Sequence, residues 1–508
     1  MKRIVLSTFL IAACVTLGAR PRYITYEKYG AKGDGVTDDM AAIAAAHEAA
    51  NEMGLPVKVR NGRTYYIGGG KMTAIIKTDT DFGTAKFIID DRELESVKSP
   101  VFEVRSYKSS INAKCRNVPK RGDSRIEMKL PCKCLVHLSD DSAKVYIRKG
   151  LNRNNGTAMS EVLIVNPDGS IDTDAGIVWD YIKEPKAVAY PIDEKTLTIK
   201  GGIFTTIANQ ANNTYRMYHD RGIKISRSNV HVEGIKHYVT GELDHGAPYT
   251  GFLNINKTSG VIVENCLFTA HMTYHTIGAA KKPVAMGSYD ISITSSVNLT
   301  LRNCSQTTDI DDKTYWGLMG TNFCKNLLLE NCTFSRFDAH QGVRNVTLRN
   351  CTFGHMGVRM VGWGTILMEN CTSRYHTVIA LRNDYGATWD GDIIIRNCTL
   401  ITPPGTKRAY LLNGSNNGDH DFGYTCHLPS KIEVDGLVID DSECVKANPD
   451  YKGPAVFNSF SYKGGDNVVS PIVAKGEVIL RNVSVTSGKP LQDSENPELF
   501  KDYTFVRE

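Results

Sequence analysis

The chain has 508 residues, of which 41% are apolar and 23% charged, with 60 Lys plus Arg against 55 Asp plus Glu. These proportions describe a folded protein and exclude a disordered or collagen-like chain. The net charge of +5 is too small to mark a nucleic-acid binder, though it permits an anionic substrate.

The first element in chain order is an export signal. Lys2 and Arg3 precede an apolar run from Ile4 to Ala13 that is too short to cross a bilayer as a helix. Ile11-Ala12-Ala13-Cys14 has the form of a bacterial lipobox, with Cys14 as the lipid-anchored residue. The other reading is a signal-peptidase cut after Ala19. Residues 1–19 are thus a signal peptide, or a lipoprotein signal ending at Cys14. Both readings put the protein in the periplasm, at the cell surface or outside a bacterium. No later segment is apolar enough to span a membrane.

Residues 20–70 read as an N-terminal cap and a first coil. The Ala-rich stretch Asp38 to Ala50 is a helix with an Asp at its start, ended by Gly54-Leu55-Pro56. Val57-Lys58-Val59 and Thr64-Tyr65-Tyr66-Ile67 follow as strands. Residues 71–195 are strand-rich but irregular, with turn signals at Asn154-Asn155-Gly156 and Pro167-Asp168-Gly169, and read as early coils carrying a β insertion. Regular coils occupy 196–445, from Thr196-Leu197-Thr198-Ile199 through Val230-His231-Val232 to Leu437-Val438-Ile439. In 446–508, Val478 to Val483 reads as the last coil, and a polar tail follows.

The regular region repeats one phrase: Glu264-Asn265-Cys266, Arg302-Asn303-Cys304, Glu330-Asn331-Cys332, Arg349-Asn350-Cys351, Glu369-Asn370-Cys371 and Arg396-Asn397-Cys398. The Cys intervals are 38, 28, 19, 20 and 27 residues. Each phrase follows a short β-prone run such as Leu327-Leu328-Leu329. A strand ending in Asn-Cys at this period is a solenoid signature, and one repeat can form one coil of a parallel β-helix. Stacked coils then align Cys as small buried filler and Asn in turns where αL backbone is needed. An exported chain with twelve Cys after Cys14 could instead be read as a disulfide framework, but the ladder spacing favours reduced packing. Cys132 and Cys134 fall outside the ladder, and a metal there is only weakly signalled. The Asn-Cys-Thr phrases match a glycosylation sequon by accident of the turn.

Tyr29-Gly30-Ala31-Lys32-Gly33-Asp34-Gly35-Val36-Thr37-Asp38-Asp39, followed by the helix, resembles the N-terminal signature of the pectate-lyase-like superfamily. The resemblance implies an all-β, single-stranded right-handed parallel β-helix capped by the N-terminal helix. It also implies a groove that holds an extended, usually acidic, polysaccharide. It does not select the reaction, because hydrolases, lyases, epimerases and phage tailspikes share the signature.

Aligning the coils on Asn-Cys collects one polar region. It holds His271, Tyr274 and His275; then Asp309, Asp311, Asp312, Lys313, Tyr315 and Trp316; then Arg336, Asp338, His340 and Gln341; then His355 and Arg359; then Arg374, Tyr375, His376, Arg382, Asp384 and Tyr385. A single His in a turn is usually structural, whereas five coils in succession point to a groove. β-Elimination at a uronate needs a cation for the carboxylate, a base for the C5 proton and an acid for the leaving oxygen. Arg336 is read as the carboxylate contact and His340 as the base. His355, one coil on and nearby, is the second candidate base. Asp338 orients the imidazole and Tyr375 is the acid. Arg359, Arg374, His376, Arg382, His271, Tyr315 and Trp316 are read as substrate contacts. The alternation of Arg336, Asp338 and His340 places them on one strand face.

The substrate is thus expected to be a uronic-acid-containing anionic glycan, with a glycosaminoglycan preferred because the pectate-specific phrases are missing. The alternatives are an inverting hydrolase of polygalacturonase type and a non-catalytic glycan-binding β-helix. The hydrolase would use Asp309, Asp311, Asp312 and Asp338 with Gly354-His355-Met356, but the usual motifs are broken. The binding module would use aromatic platforms such as Trp316, Trp363 and Trp389. No cofactor is assigned. Ca²⁺ is left open, with Asp309, Asp311 and Asp312 as the one dense acidic run.

Overall fold

The computed structural model describes residues 22–148, 155–209, 218–243, 249–277, 281, 283–415, 422–460 and 472–508. The export signal and Cys14 lie outside these residues, as does Asn154. Twenty-eight of the described strands form one continuous sheet in which strands of successive coils pair in parallel. The solenoid architecture read from the Asn-Cys repeat is therefore the fold. No described helix is long and apolar enough to cross a membrane.

Period-2 strands explain the stacking. One inward ladder runs Val261, Leu299, Leu327, Val346, Ile366, Ile393, Ile432 and Val478, residue opposite residue. A second, two positions on, runs Val263, Leu301, Leu329, Leu348, Met368, Ile395, Val434 and Leu480. All are buried, and each contributes about 1.5–3 kcal/mol of apolar transfer free energy. The next outward position alternates in charge. Arg302 lies 3.5 Å from Glu264 and 2.7 Å from Glu330, and Arg349 lies 3.5 Å from Glu330 and 3.0 Å from Glu369.

Asn then turns the chain. Asn265, Asn303, Asn331, Asn350, Asn370 and Asn397 have φ between 49° and 55°. Amide donors reach one coil back, from Asn303 to Asn265 (3.1 Å), Asn331 to Asn303 (2.9 Å) and Asn350 to Asn331 (3.0 Å). A second, shorter ladder of Asn298, Asn326 and Asn345 repeats the device at another corner. The six ladder cysteines are buried and unpaired. Each thiol from Cys304 to Cys398 lies 3.4–3.5 Å from a carbonyl oxygen of the coil below. Cys132 and Cys134 are also unpaired.

The helix Met40–Met53 covers the first coil with Met40, Ile43, Ala46, His47 and Ala50. In the signature before it, Asp39 accepts the Lys32 and Gly33 amides at 2.6 and 3.0 Å, and Asp38 accepts the Met40 amide at 3.0 Å. The second Asp therefore fixes the Gly-rich turn and the first caps the helix.

Strands Ile111–Lys114, Cys134–Val145, Thr157–Val165 and Lys186–Pro191 form a separate four-stranded antiparallel sheet. It packs on the β-helix through a second core that joins Tyr146 and Trp179 to Val361, Trp363 and Tyr385. The Trp179 and Trp363 rings meet edge-on at 4.9 Å. A buried ion pair, Lys325 to Glu161 at 2.6 Å, crosses this junction.

The stack continues past Val478–Val483, where the sequence reading ended it. Tyr503–Arg507 pairs in parallel with Gly476–Leu480. Phe500 stacks on Phe457 at 4.0 Å, and Tyr503 meets Phe457 at 4.9 Å. These aromatics seal the end of the core, and the polar residues around them hid the extra strand.

Candidate functional site

Strand Thr333–Arg349 carries the centre of the site. Phe337 and Ala339 enter the core, so Arg336, Asp338 and His340 share the outward face. Other elements cover much of that face: Trp316 from the coil before it, Tyr289 from the coil before that, Arg382 to Tyr385 from a later one, and Arg148 next to the inserted sheet. Gly320 makes room, since a Cβ there would sit 2.6 Å from the Tyr289 ring.

The charged groups form a row, Arg336–Asp338–Arg382–Asp384–Arg148. Arg336 Nη2 donates to Asp338 at 2.6 Å, and Arg382 Nη1 donates to both Asp338 oxygens at 2.7 and 2.6 Å. Arg382 Nε and Nη2 donate to Asp384 at 3.1 and 2.8 Å, and Arg148 Nη1 donates to Asp384 at 3.3 Å. The Tyr289 hydroxyl donates to Asp338 as well. Burial alone would raise the Asp338 carboxyl, but Arg336 and Arg382 outweigh it and hold it well below the usual range. Asp384 follows the same logic, with burial opposed chiefly by Arg382, and falls to about 2. Both carboxylates are thus firmly ionised, and neither is suited to donate a proton.

His340 sits beside this row. Its Nδ1 faces Asn322 Oδ1 at 3.3 Å, and its Nε2 faces the Tyr385 hydroxyl at 3.2 Å. Burial, helped by the Arg382 charge, lowers its pKa to about 3, so the ring is neutral at pH 7. With Nδ1–H directed at the Asn322 oxygen, Nε2 carries the lone pair.

The structure corrects three placements. His355 is not near His340. Phe334 pairs with Phe353 and Arg336 with Gly357, which sets His355 opposite the start of the Arg336–His340 run, roughly 15 Å along the strand direction from His340. Its Nδ1 and Nε2 face the Ile310 and Tyr315 carbonyls at 3.0 and 3.1 Å, which holds the ring at that end of the strand. Arg336 is only 1% exposed and lies under the Trp316 ring at 4.8 Å, sealed from a substrate carboxylate. His271 is equally buried, and its ring nitrogens face Glu242 at 2.7 Å and Asp290 at 3.3 Å. Burial would lower its pKa, but these carboxylates raise it to about 10. His237, 2.7 Å from the other Asp290 oxygen, completes a buried polar chain that the sequence did not reveal.

Lys313, His355, Arg374, Tyr375 and His376, with residues 401–406, wall an open cleft of about 580 Å³. Arg374 pairs with Asp311 at its rim, at 2.5 Å. Asn413 donates to His376 Nε2 at 3.0 Å, and burial lowers His376 to about 4. Arg359, opposite Asp338 on the next strand, donates to the Tyr375 oxygen at 2.6 Å and so ties the cleft to the charged row. Tyr315 stands on the short strand Tyr315–Gly317, beside Trp316.

The acidic run does not suit Ca²⁺. Asp309 accepts the Asp311 amide, Asp312 caps Thr314, and Asp311 is paired with Arg374. Among the described residues no group of three or more His, Cys, Asp or Glu is arranged to hold a metal. Asp384, Tyr385 and Arg382 were legible as a polar cluster. Arg148, Tyr289 and Asn322 were not, because none of them stands just after an Asn-Cys phrase, where the alignment collects polar residues.

No family model matches this sequence, and no curated protein does. Among solved structures, the chain is similar to the tailspike of Pseudomonas phage phi297, with TM-score 0.51, 13% identity, and coverage of 91% of this chain and 80% of that one. It is also similar to the tailspike of Pseudomonas phage LKA1, with TM-score 0.50, 14% identity, and coverage of 95% and 84%. The tailspike of Acinetobacter baumannii bacteriophage AP22, solved with capsular saccharide, gives TM-score 0.50, 10% identity, and coverage of 95% and 79%. At these identities the likeness concerns the fold. The chain has a right-handed parallel β-helix fold.

Proposed function

We propose that this protein is an exported polysaccharide lyase that cleaves a uronic-acid-containing anionic glycan by β-elimination. The observation that carries the reading is a neutral, partly exposed His340 held beside an arginine-rich row whose two carboxylates are kept ionised. In this account His340 removes the proton at C5 of the uronate, and the arginine field stabilises the charge that develops on its carboxylate. The C4–O bond breaks, a C4–C5 double bond forms, and Tyr375 protonates the departing oxygen. Arg359 donates to the Tyr375 oxygen, which leaves the phenol's own proton free for that step. The cleft with Lys313, Arg374 and His376 holds the neighbouring sugars, and a glycosaminoglycan is the preferred class. The AP22 tailspike, bound to capsular saccharide, supports a saccharide partner for this fold. The ionised state of Asp338 and Asp384 favours elimination over inverting hydrolysis, which needs one protonated carboxyl.

The test is incubation of the purified protein with a panel of uronate polymers. Products that absorb in the ultraviolet carry the double bond left by elimination. New reducing ends without that absorbance would reassign the protein to hydrolysis. Binding without cleavage across the panel would make it a glycan-binding module.

A further inference from the structure

The inserted sheet does more than brace the β-helix, because it delivers Arg148 to the charged row. The side chain of Arg148 is 9% exposed, and its Nε has no hydrogen-bond partner among the described residues. The row runs from a sealed end to an open one. Arg336 and Asp338 are 1% and 0% exposed, whereas Arg382, Asp384 and Arg148 are 13%, 23% and 9% exposed. Along the row three arginines face two aspartates, so among the described residues one guanidinium charge lacks a counterion. An uncompensated charge in so buried a place is costly unless a ligand anion balances it.

Position selects which arginine meets that anion. Arg382 spends all three of its nitrogens on the two aspartates. Arg336 is sealed under Trp316. Arg148 makes a single 3.3 Å contact to Asp384 through Nη1; its Nε is buried without a partner, while its Nη2 has no hydrogen bond among the described residues and is not sealed. It lies over the Tyr385 ring at 4.8 Å, and His340 meets the same ring edge-on at 4.8 Å. The cation and the candidate base thus meet at one aromatic ring, Arg148 over its face and His340 at its edge.

We propose that Arg148, carried by the inserted sheet, binds the carboxylate of the reacting uronate and makes the site selective for the free acid over neutral forms of the sugar. This assignment rests on the lyase reading for its catalytic meaning, while the binding preference can be measured without turnover. Calorimetric titration with tri- and tetrasaccharides of galacturonate, mannuronate and glucuronate, and with their methyl esters, gives the test. The wild type binds at least one of the acids more tightly than its ester. Arg148→Gln weakens binding of that acid about tenfold or more and leaves the ester within twofold, so the preference disappears; Arg148→Lys retains part of it. A wild type without preference for any acid, or an Arg148→Gln variant that weakens acid and ester equally, overturns the proposal. A far-ultraviolet spectrum and melting midpoint close to wild type separate this outcome from misfolding. If the preference is lost as described but the cleaved polymer yields saturated products, the lyase reading falls while the Arg148 assignment stands.

Discussion

Asp338→Asn is the sharpest structural perturbation. The side chain is fully buried and bonded to Arg336, Arg382 and Tyr289. The amide keeps the shape but removes the charge that balances Arg336, whose guanidinium has no other acidic partner among the described residues. Breaking a buried ion pair from one side costs about 3–5 kcal/mol. With an unfolding entropy of about 2.1 cal/mol/K per residue, a chain of about 500 residues gives about 1 kcal/mol/K, so the melting midpoint falls by about 3–5 °C. Asp311→Asn is the control, because its pair with Arg374 is exposed on both sides and contributes about 0–1 kcal/mol. Acid adds a second readout. The Asp338 carboxyl is depressed in the folded state, so its stabilisation is complete above the unfolded pKa near 4 and is lost as pH falls through the lower folded value. The variant should therefore lose less stability than wild type between pH 4 and pH 2. Calorimetry at fixed scan rate over that pH range measures both effects. An Asp338→Asn midpoint within 1 °C of wild type at pH 7 would refute the reasoning.

Three further outcomes follow from the geometry. His340→Ala should lower turnover by about 10²-fold or more with little change in melting midpoint. Because burial lowers His340 to about 3, wild-type activity should persist through pH 5 and fall only as the imidazole takes a proton near pH 3, so an acid limb centred near pH 6.5 would contradict the role. Thiol titration of the unfolded protein should find the six ladder cysteines free, and Cys351→Ser should cost about 1–3 kcal/mol in denaturant unfolding. Asn331→Ala should cost about 2 kcal/mol, by placing Ala at φ 54° and cutting the amide bonds to Asn303 and from Asn350, and Asn331→Gly should recover the backbone part of that loss.

The fold was legible because a solenoid writes its contacts into a repeat. Asn331 and Cys332 meet Asn350 and Cys351 in space because they occupy the same place in consecutive phrases. The Glu-Arg alternation stood in those phrases too, at Glu264, Arg302, Glu330 and Arg349, although its meaning as an ion-pair ladder emerged only from the coil register. The site was legible less fully. Alternation placed Arg336, Asp338 and His340 on one face, but nothing in that strand tells that Trp316, Tyr289 and the inserted sheet cover it. Burial then changes each role: Arg336 is sealed, His271 is held between carboxylates, and His340 is kept neutral. His355 was misplaced because it stands four residues after Cys351 whereas His340 stands eight after Cys332, and the register shift between Phe334 and Arg336 moves His355 slightly further still from His340. Arg148 comes from a segment outside the repeat, so no alignment on Asn-Cys could bring it to the row.

The central claim is elimination at a uronate, and product mass tests it most directly. A defined oligosaccharide of the polymer that the protein cleaves is digested, and the two complementary fragments are weighed. Elimination adds no water, so the account predicts fragment masses that sum to the mass of the parent, with the unsaturated sugar at the new non-reducing end. A sum one water heavier than the parent, with both fragments saturated, would contradict it.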